Sequence, residues 1–171
     1  VKEDLTEIGS SPDGNTALLV ARGEIFTVTL GDSTTINHTQ SSGVHEKDAV
    51  WSPDGKKIAY FSDRSGEYEI YIADSQGESK AIKMTTHDNG YRHTLKWSPD
   101  NKKLAYTDQT LSLYILDTET KKITRVDKSE YENIDVSINL KPIYDFNWSP
   151  DSRFIAYTKM DADLVYKIYI Y

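Results

Sequence analysis

The sequence predicts an all-β fold in which one small antiparallel sheet is repeated four times, and three observations carry that expectation. Ser-Pro-Asp followed by Gly, Asn or Ser occurs at Ser11-Pro12-Asp13, Ser52-Pro53-Asp54, Ser98-Pro99-Asp100 and Ser149-Pro150-Asp151, the last three directly after a Trp. The prolines, at 12, 53, 99 and 150, are 41, 46 and 51 residues apart, which is the period of a four-stranded propeller blade. Finally, β-branched and aromatic runs stand at matching distances from each copy, as half-buried strands require.

The elements follow in order within each unit. A first strand ends at Ser10, Trp51, Trp97 or Trp148. Pro then presets φ and Gly or Asn accepts φ > 0, so the turn reads as a hairpin. Second strands follow at Ala17-Leu18-Leu19-Val20, Lys56 to Phe61, Lys102 to Thr107 and Arg153 to Thr158. Third strands are Ile25-Phe26-Thr27-Val28, Ile70-Tyr71-Ile72-Ala73, Leu113-Tyr114-Ile115-Leu116 and Ile168-Tyr169-Ile170. A more polar fourth strand is expected at Thr35 to Thr39, Lys80 to Thr85 and Lys122 to Val126. The last unit has none before Tyr171, and the chain starts without Met, so a piece of a longer protein is expected. The units form a β-propeller segment of about four blades over residues 1–171, with blades near 5–40, 43–86, 89–127 and 139–171 and the last one incomplete.

Composition narrows the partners. There are 20 Lys and Arg against 27 Asp and Glu, a net charge of −7, and no basic stripe, which opposes a phosphate backbone. Nucleic acid is therefore not an expected partner, and no apolar stretch has membrane-spanning length. The 12 Tyr and 3 Trp sit mostly at repeat-fixed strand positions, as blade core does. Zero Cys removes disulfides and thiol nucleophiles and leaves the compartment open between cytoplasm and periplasm. The sequons at Asn37-His38-Thr39 and Asn147-Trp148-Ser149 are read as chance, the second being followed by Pro and set on a strand.

No pattern for chemistry emerges. His45-Glu46-Lys47-Asp48-Ala49 opens like a zinc-protease helix motif but has Ala49 where the second His must be. His87 and His93 flank the turn Asp88-Asn89-Gly90 with no third ligand fixed by spacing. No nucleophile is joined to a base. Catalytic residues, metal and cofactor are all expected to be none.

The repeats provide an internal control. Residues that recur at one position serve the fold: the three Trp, Tyr60, Tyr106 and Tyr157, and the turn aspartates. Glu7, Asp48, Thr94 and Asp145, three residues before the Trp position, are expected to bond backbone at the blade seams. Residues that differ from unit to unit just before the first strand are free to bind. These are His45, Glu46 and Lys47, then Tyr91, Arg92 and His93, then Tyr144, and they are placed at one mouth of a central channel. The link from Asp127 to Pro142 is read as an extra pairing segment or a loop over one face. The hairpin Asp63-Arg64-Ser65-Gly66-Glu67 is read only as an exposed turn.

The stretches Ala21-Arg22-Gly23-Glu24-Ile25-Phe26-Thr27-Val28 and Gly43-Val44-His45-Glu46-Lys47-Asp48-Ala49-Val50-Trp51-Ser52-Pro53-Asp54-Gly55-Lys56-Lys57-Ile58-Ala59-Tyr60-Phe61-Ser62-Asp63 resemble the opening blades of the second propeller of tricorn-type serine proteases. The similarity is strongest over 9–74 and continues as a general blade pattern to 171. The Ser-Pro-Asp-Gly repeat alone occurs also in Tol-associated periplasmic propellers and prolyl-oligopeptidase-type hydrolases. The resemblance implies part of a seven-bladed ring whose channel admits and sieves peptides toward a serine peptidase region outside this chain. Peptides and the remaining domains of the parent are the implied partners, and homo-oligomerisation is left open. None of the family's catalytic residues maps here, and four units are fewer than that ring requires. The alternative is a Tol-type propeller scaffold that binds a protein or peptide segment with no protease attached.

Overall fold

The computed structural model describes residues 5–31, 34–86, 90–129, 143–161 and 165–171, with only the backbone of 143 and 144. Every element among them is a β-strand. The first sheet is β1 (Leu5–Ser10), β2 (Thr16–Ala21), β3 (Glu24–Thr29) and β4 (Thr35–Asn37). The second is β5 (Glu46–Trp51), β6 (Lys57–Ser62), β7 (Glu69–Asp74) and β8 (Ile82–Lys83). The third is β9 (Arg92–Trp97), β10 (Lys103–Asp108), β11 (Ser112–Asp117) and β12 (Ile123–Lys128). The fourth has three strands, β13 (Ile143–Trp148), β14 (Ile155–Met160) and β15 (Tyr166–Ile170). Each is an antiparallel meander in chain order, so the chain is a β-propeller segment.

All four Ser-Pro-Asp turns close in one way. The Ser hydroxyl donates to the Asp carboxylate two residues on, at 2.5, 2.7, 2.6 and 2.7 Å. That hydroxyl accepts the backbone N–H five residues later at 2.9, 2.9, 2.9 and 3.0 Å, which locks the second strand onto the first. The residue after Asp adopts positive φ in every copy: Gly14 (74°), Gly55 (71°), Asn101 (63°) and Ser152 (61°). Asn tolerates that region and Ser is strained in it. These turns fix the register of the hairpin, and with it which face of each sheet is apolar.

Two compact units divide the chain, Val1–Gly90 and Tyr91–Tyr171, with two sheets in each. In the first, Leu18, Val20 and Ile25 of one sheet pack on Ile58, Tyr60, Tyr71 and Ala73 of the next, with Trp51 against them. In the second, Ala105 and Leu113 meet Phe146, Ile155 and Tyr157, with Trp148 and Tyr169 alongside. The repeated Tyr positions are directly paired across strands. Tyr60 stacks on Tyr71, Tyr106 on Tyr114 and Tyr157 on Tyr169, with centroids 6.1, 5.3 and 5.6 Å apart. Stacked aromatic pairs at one register position reinforce both burial and alignment.

The first strands of the second and third sheets are bulged at the same place. Pairing shifts between Lys47 and Val50 against Phe61 and Ala59, and the corresponding break falls between His93 and Lys96. Asp48 and Thr94, inside these bulges, have φ of 53° and 55°. A bulge re-aims the side chains on either side of it, and that is what positions the residues at the strand starts.

Candidate functional site

The start of β5 gathers polar and aromatic side chains at the surface of the first unit. His45 is exposed. Its backbone is tied to the β6–β7 hairpin, the N–H donating to Asp63 Oδ1 at 2.8 Å and the C=O accepting from Asp63 N at 3.3 Å. Its ring meets Tyr68 edge-on, with the phenolic oxygen 2.9 Å from Nδ1. Lys47 Nζ lies 4.7 Å from the centroid of the same Tyr68 ring and 3.7 Å from Asp48 Oδ2. Cation, imidazole and phenol thus share one patch, suited to a carboxylate or backbone carbonyl and an apolar side chain together.

Glu46, between them in sequence, points the other way. It is wholly buried. Ser41 Oγ donates to both its carboxylate oxygens at 3.1 and 3.0 Å, Ser62 Oγ donates at 3.0 Å, and Arg64 stands 3.8 Å away. Burial raises its pKa, opposed by the Ser41 and Ser62 hydroxyls and the Arg64 charge. Its N–H donates to Gly23 O at 2.8 Å, so Glu46 fastens the link between the first two sheets. Gly23 itself has a φ of 75°, and a Cβ there would come within 3.1 Å of the Val44 carbonyl.

The hairpin after β6 does more than expose a turn, contrary to the sequence expectation. Arg64 bonds Tyr60 Oη at 2.5 Å and Ser62 Oγ at 3.1 Å, and its guanidinium sits 4.1 Å from the Tyr71 ring centroid. The guanidinium head itself thus lies against the stacked Tyr pair as a cation on an aromatic face. Asp63 and Tyr68, which shape the His45 patch, were also missed. Their contacts cross 18 and 23 residues of sequence, and no local motif announces them.

In the second unit the equivalent start of β9 presents Tyr91 and His93 as exposed residues, while Arg92, at the Glu46 position, is buried, with 5% of its surface exposed. Tyr144 contributes a backbone position on β13, and its side chain, like His87, lies outside the described residues. No group of three or more His, Asp or Glu arranged to hold a metal is found among the described residues, and no helix among them is long and apolar enough to cross a membrane.

Seam contacts show what the position three before Trp does. Glu7 accepts the backbone N–H groups of Asp48 and Ala49 at 2.8 and 3.1 Å, as expected. Asp145 instead accepts from Lys96 Nζ at 2.9 Å and from its neighbour's N–H at 2.8 Å, and Asp48 pairs with adjacent Lys47.

Strands and turns together define a β-propeller segment whose recurring turn and Tyr residues are structural. The sequence matches the family described as the tricorn protease second β-propeller domain over residues 5–171, and the chain belongs to that family. Among solved structures it is similar to the tricorn protease, with a TM-score of 0.78 and 22% identity over 99% of this chain and 16% of that one. It is similar also to TolB from Acinetobacter baumannii, with a TM-score of 0.67 and 22% identity over 95% of this chain and 39% of that one. A third is an oligogalacturonate lyase from Vibrio parahaemolyticus, with a TM-score of 0.69 and 18% identity over 91% and 45%. At these identities the likeness is one of fold, and the chain spans less than half the length of each of these three. No curated protein sequence matches it.

Proposed function

We propose that this chain is the non-catalytic propeller portion of a tricorn-like serine protease, and that its first-strand starts contact peptide substrate on the way to a catalytic region outside the chain. The observation that supports this is the patch of His45, Lys47 and Tyr68, which offers hydrogen bonds, positive charge and an aromatic face to an extended peptide while its backbone is held by Asp63. Tyr91 and His93 give the second unit a comparable rim. Glu46 and Arg92, being buried, act through the positions of their neighbours.

The test is made in the complete parent enzyme. Replacing His45 and Lys47 together by Ala is expected to lower kcat/KM for long peptides about tenfold more than for dipeptide-sized substrates, since only long chains reach the rim. Equal effects on both would remove the sieve. The 171-residue chain alone is expected to hydrolyse no peptide, and turnover blocked by a serine-directed inhibitor would overturn the non-catalytic assignment.

A further inference from the structure

The patch at the start of β5 turns hydrogen-bond donors outward. His45 is exposed, and its Nδ1 lies 2.9 Å from Tyr68 Oη. A phenol O–H is a better donor than a neutral imidazole N–H, so Tyr68 donates, Nδ1 accepts and the ring proton sits on Nε2. A protonated ring keeps a hydrogen at Nε2 as well. The main chain of His45 is spent on Asp63, its N–H on Oδ1 at 2.8 Å and its C=O on the Asp63 N–H at 3.3 Å. One hairpin, carrying Asp63 and Tyr68, therefore fixes both the backbone and the ring of His45.

Side chains alternate along a strand, so Lys47 stands on the same side as His45. Its ammonium lies 4.7 Å from the centre of the Tyr68 ring and 5.9 Å from that of Phe61, and aromatic walls of this kind both attract a cation and keep water from one side of it. Asp48 Oδ2 stands 3.7 Å from Lys47 Nζ, an ion pair beyond hydrogen-bond distance. An ammonium and an N–H flanking one ring suit an anionic acceptor, because a charge-assisted bond is roughly twice as strong as a neutral one. On a peptide, that acceptor is a carboxylate.

We propose that His45 and Lys47 select peptides by a carboxylate, either the C-terminal one or that of an Asp or Glu side chain. This selection rests on the first-strand starts contacting peptide at all. Asp48 is then the internal competitor for Lys47, and its neutralisation strengthens binding. The test titrates the isotopically labelled 171-residue chain with Ac-Ala-Phe-Ala-Ala-OH, with its C-terminal amide and with Ac-Ala-Phe-Glu-Ala-NH2, read at the His45 and Tyr68 ring resonances. At least one carboxylate peptide is expected to bind about tenfold tighter than the neutral amide, and the one that does so identifies the source of the carboxylate. Lys47→Gln is expected to remove that preference. Asp48→Asn, placed at a φ of 53° that Asn tolerates, is expected to tighten carboxylate binding about threefold, and it carries the test alone if Lys47→Gln loses the native spectrum. Equal affinity for the amide and both carboxylate peptides, a preference that folded Lys47→Gln leaves intact, or carboxylate binding that Asp48→Asn does not tighten would overturn the selection and leave the peptide contact standing. No response at either ring to any of the three peptides would overturn both.

Discussion

The seam in the first unit and the seam in the second solve one problem with different groups. Between the first two sheets, an anionic side chain, Glu7, reaches across to two backbone N–H groups. Between the third and fourth, a cationic one, Lys96, reaches across to the Phe146 carbonyl at 2.6 Å and the Asp145 carboxylate. The second seam adds an indole bond, a hydroxyl bond and Phe146, buried to 3%, where the first has Ala49. Asp127 of β12 adds a further tie, accepting from Tyr157 Oη and Lys159 Nζ at 2.7 Å each. A repeat fixes the sheets, and the seams are free to diverge because any donor and acceptor pair of suitable reach satisfies the same backbone groups.

Breaking the second seam at its aromatic residue should cost most. Phe146→Ala is expected to destabilise the second unit by about 3 kcal/mol through the lost contacts and the cavity left, measured by hydrogen exchange resolved for each unit. Glu7→Ala should destabilise the first unit by about 2 kcal/mol, because two N–H groups lose a charged acceptor. The two indoles sharpen the contrast further. Trp148→Phe is expected to cost about 1 kcal/mol of hydrogen bonding that Trp51→Phe does not, and equal bonding losses would show that the Lys96 carbonyl bond contributes nothing.

Acid should act on two carboxylates, Asp127 and Glu46, in opposite directions, with the smallest effects of the set. Burial pushes Asp127 up, but bonds from Lys159 and Tyr157 hold it below the ordinary range. Its folded pKa is therefore lower than its unfolded one, near 3.9. That stability is present above the unfolded value and is lost as pH falls through the folded one. Glu46 has the reverse sign. With its folded pKa raised above the ordinary 4.5, its contribution is full below the unfolded value and is lost as pH rises through the folded one. Asp127→Asn should lessen the acid sensitivity of the second unit and Glu46→Gln should steepen that of the first, both read relative to the native chain from denaturation midpoints between neutral and acid pH. A change of the same sign in both variants would refute the pairing of these groups with these slopes.

The Ser-Pro-Asp turns, the structural set Tyr60, Tyr106 and Tyr157, and Glu7 at the seam were legible in the sequence because each recurs at a fixed offset, and recurrence at one position is the mark of a residue serving the fold. The residues at the first-strand starts were legible only as a set of neighbours. Which of His45, Glu46 and Lys47 faces outward depends on the bulge at Asp48, where strict alternation fails. Arg64, asked only to decorate a turn, covers the Tyr60–Tyr71 pair because hairpin geometry returns it over β6 and β7.

By itself the sequence determined the antiparallel sheets, their turns and the residues that make each one apolar on a chosen face, because hairpin register depends on local turn chemistry and a period of two. The tertiary structure alone decided which groups cross each seam, that Glu46 and Arg92 turn inward, and that Ser152 bonds across its seam. The seam contacts join residues some 40 to 50 positions apart and Glu46 is held by Ser62 and Arg64 from another strand and hairpin, where no local motif carries the information and only packing sets the distance.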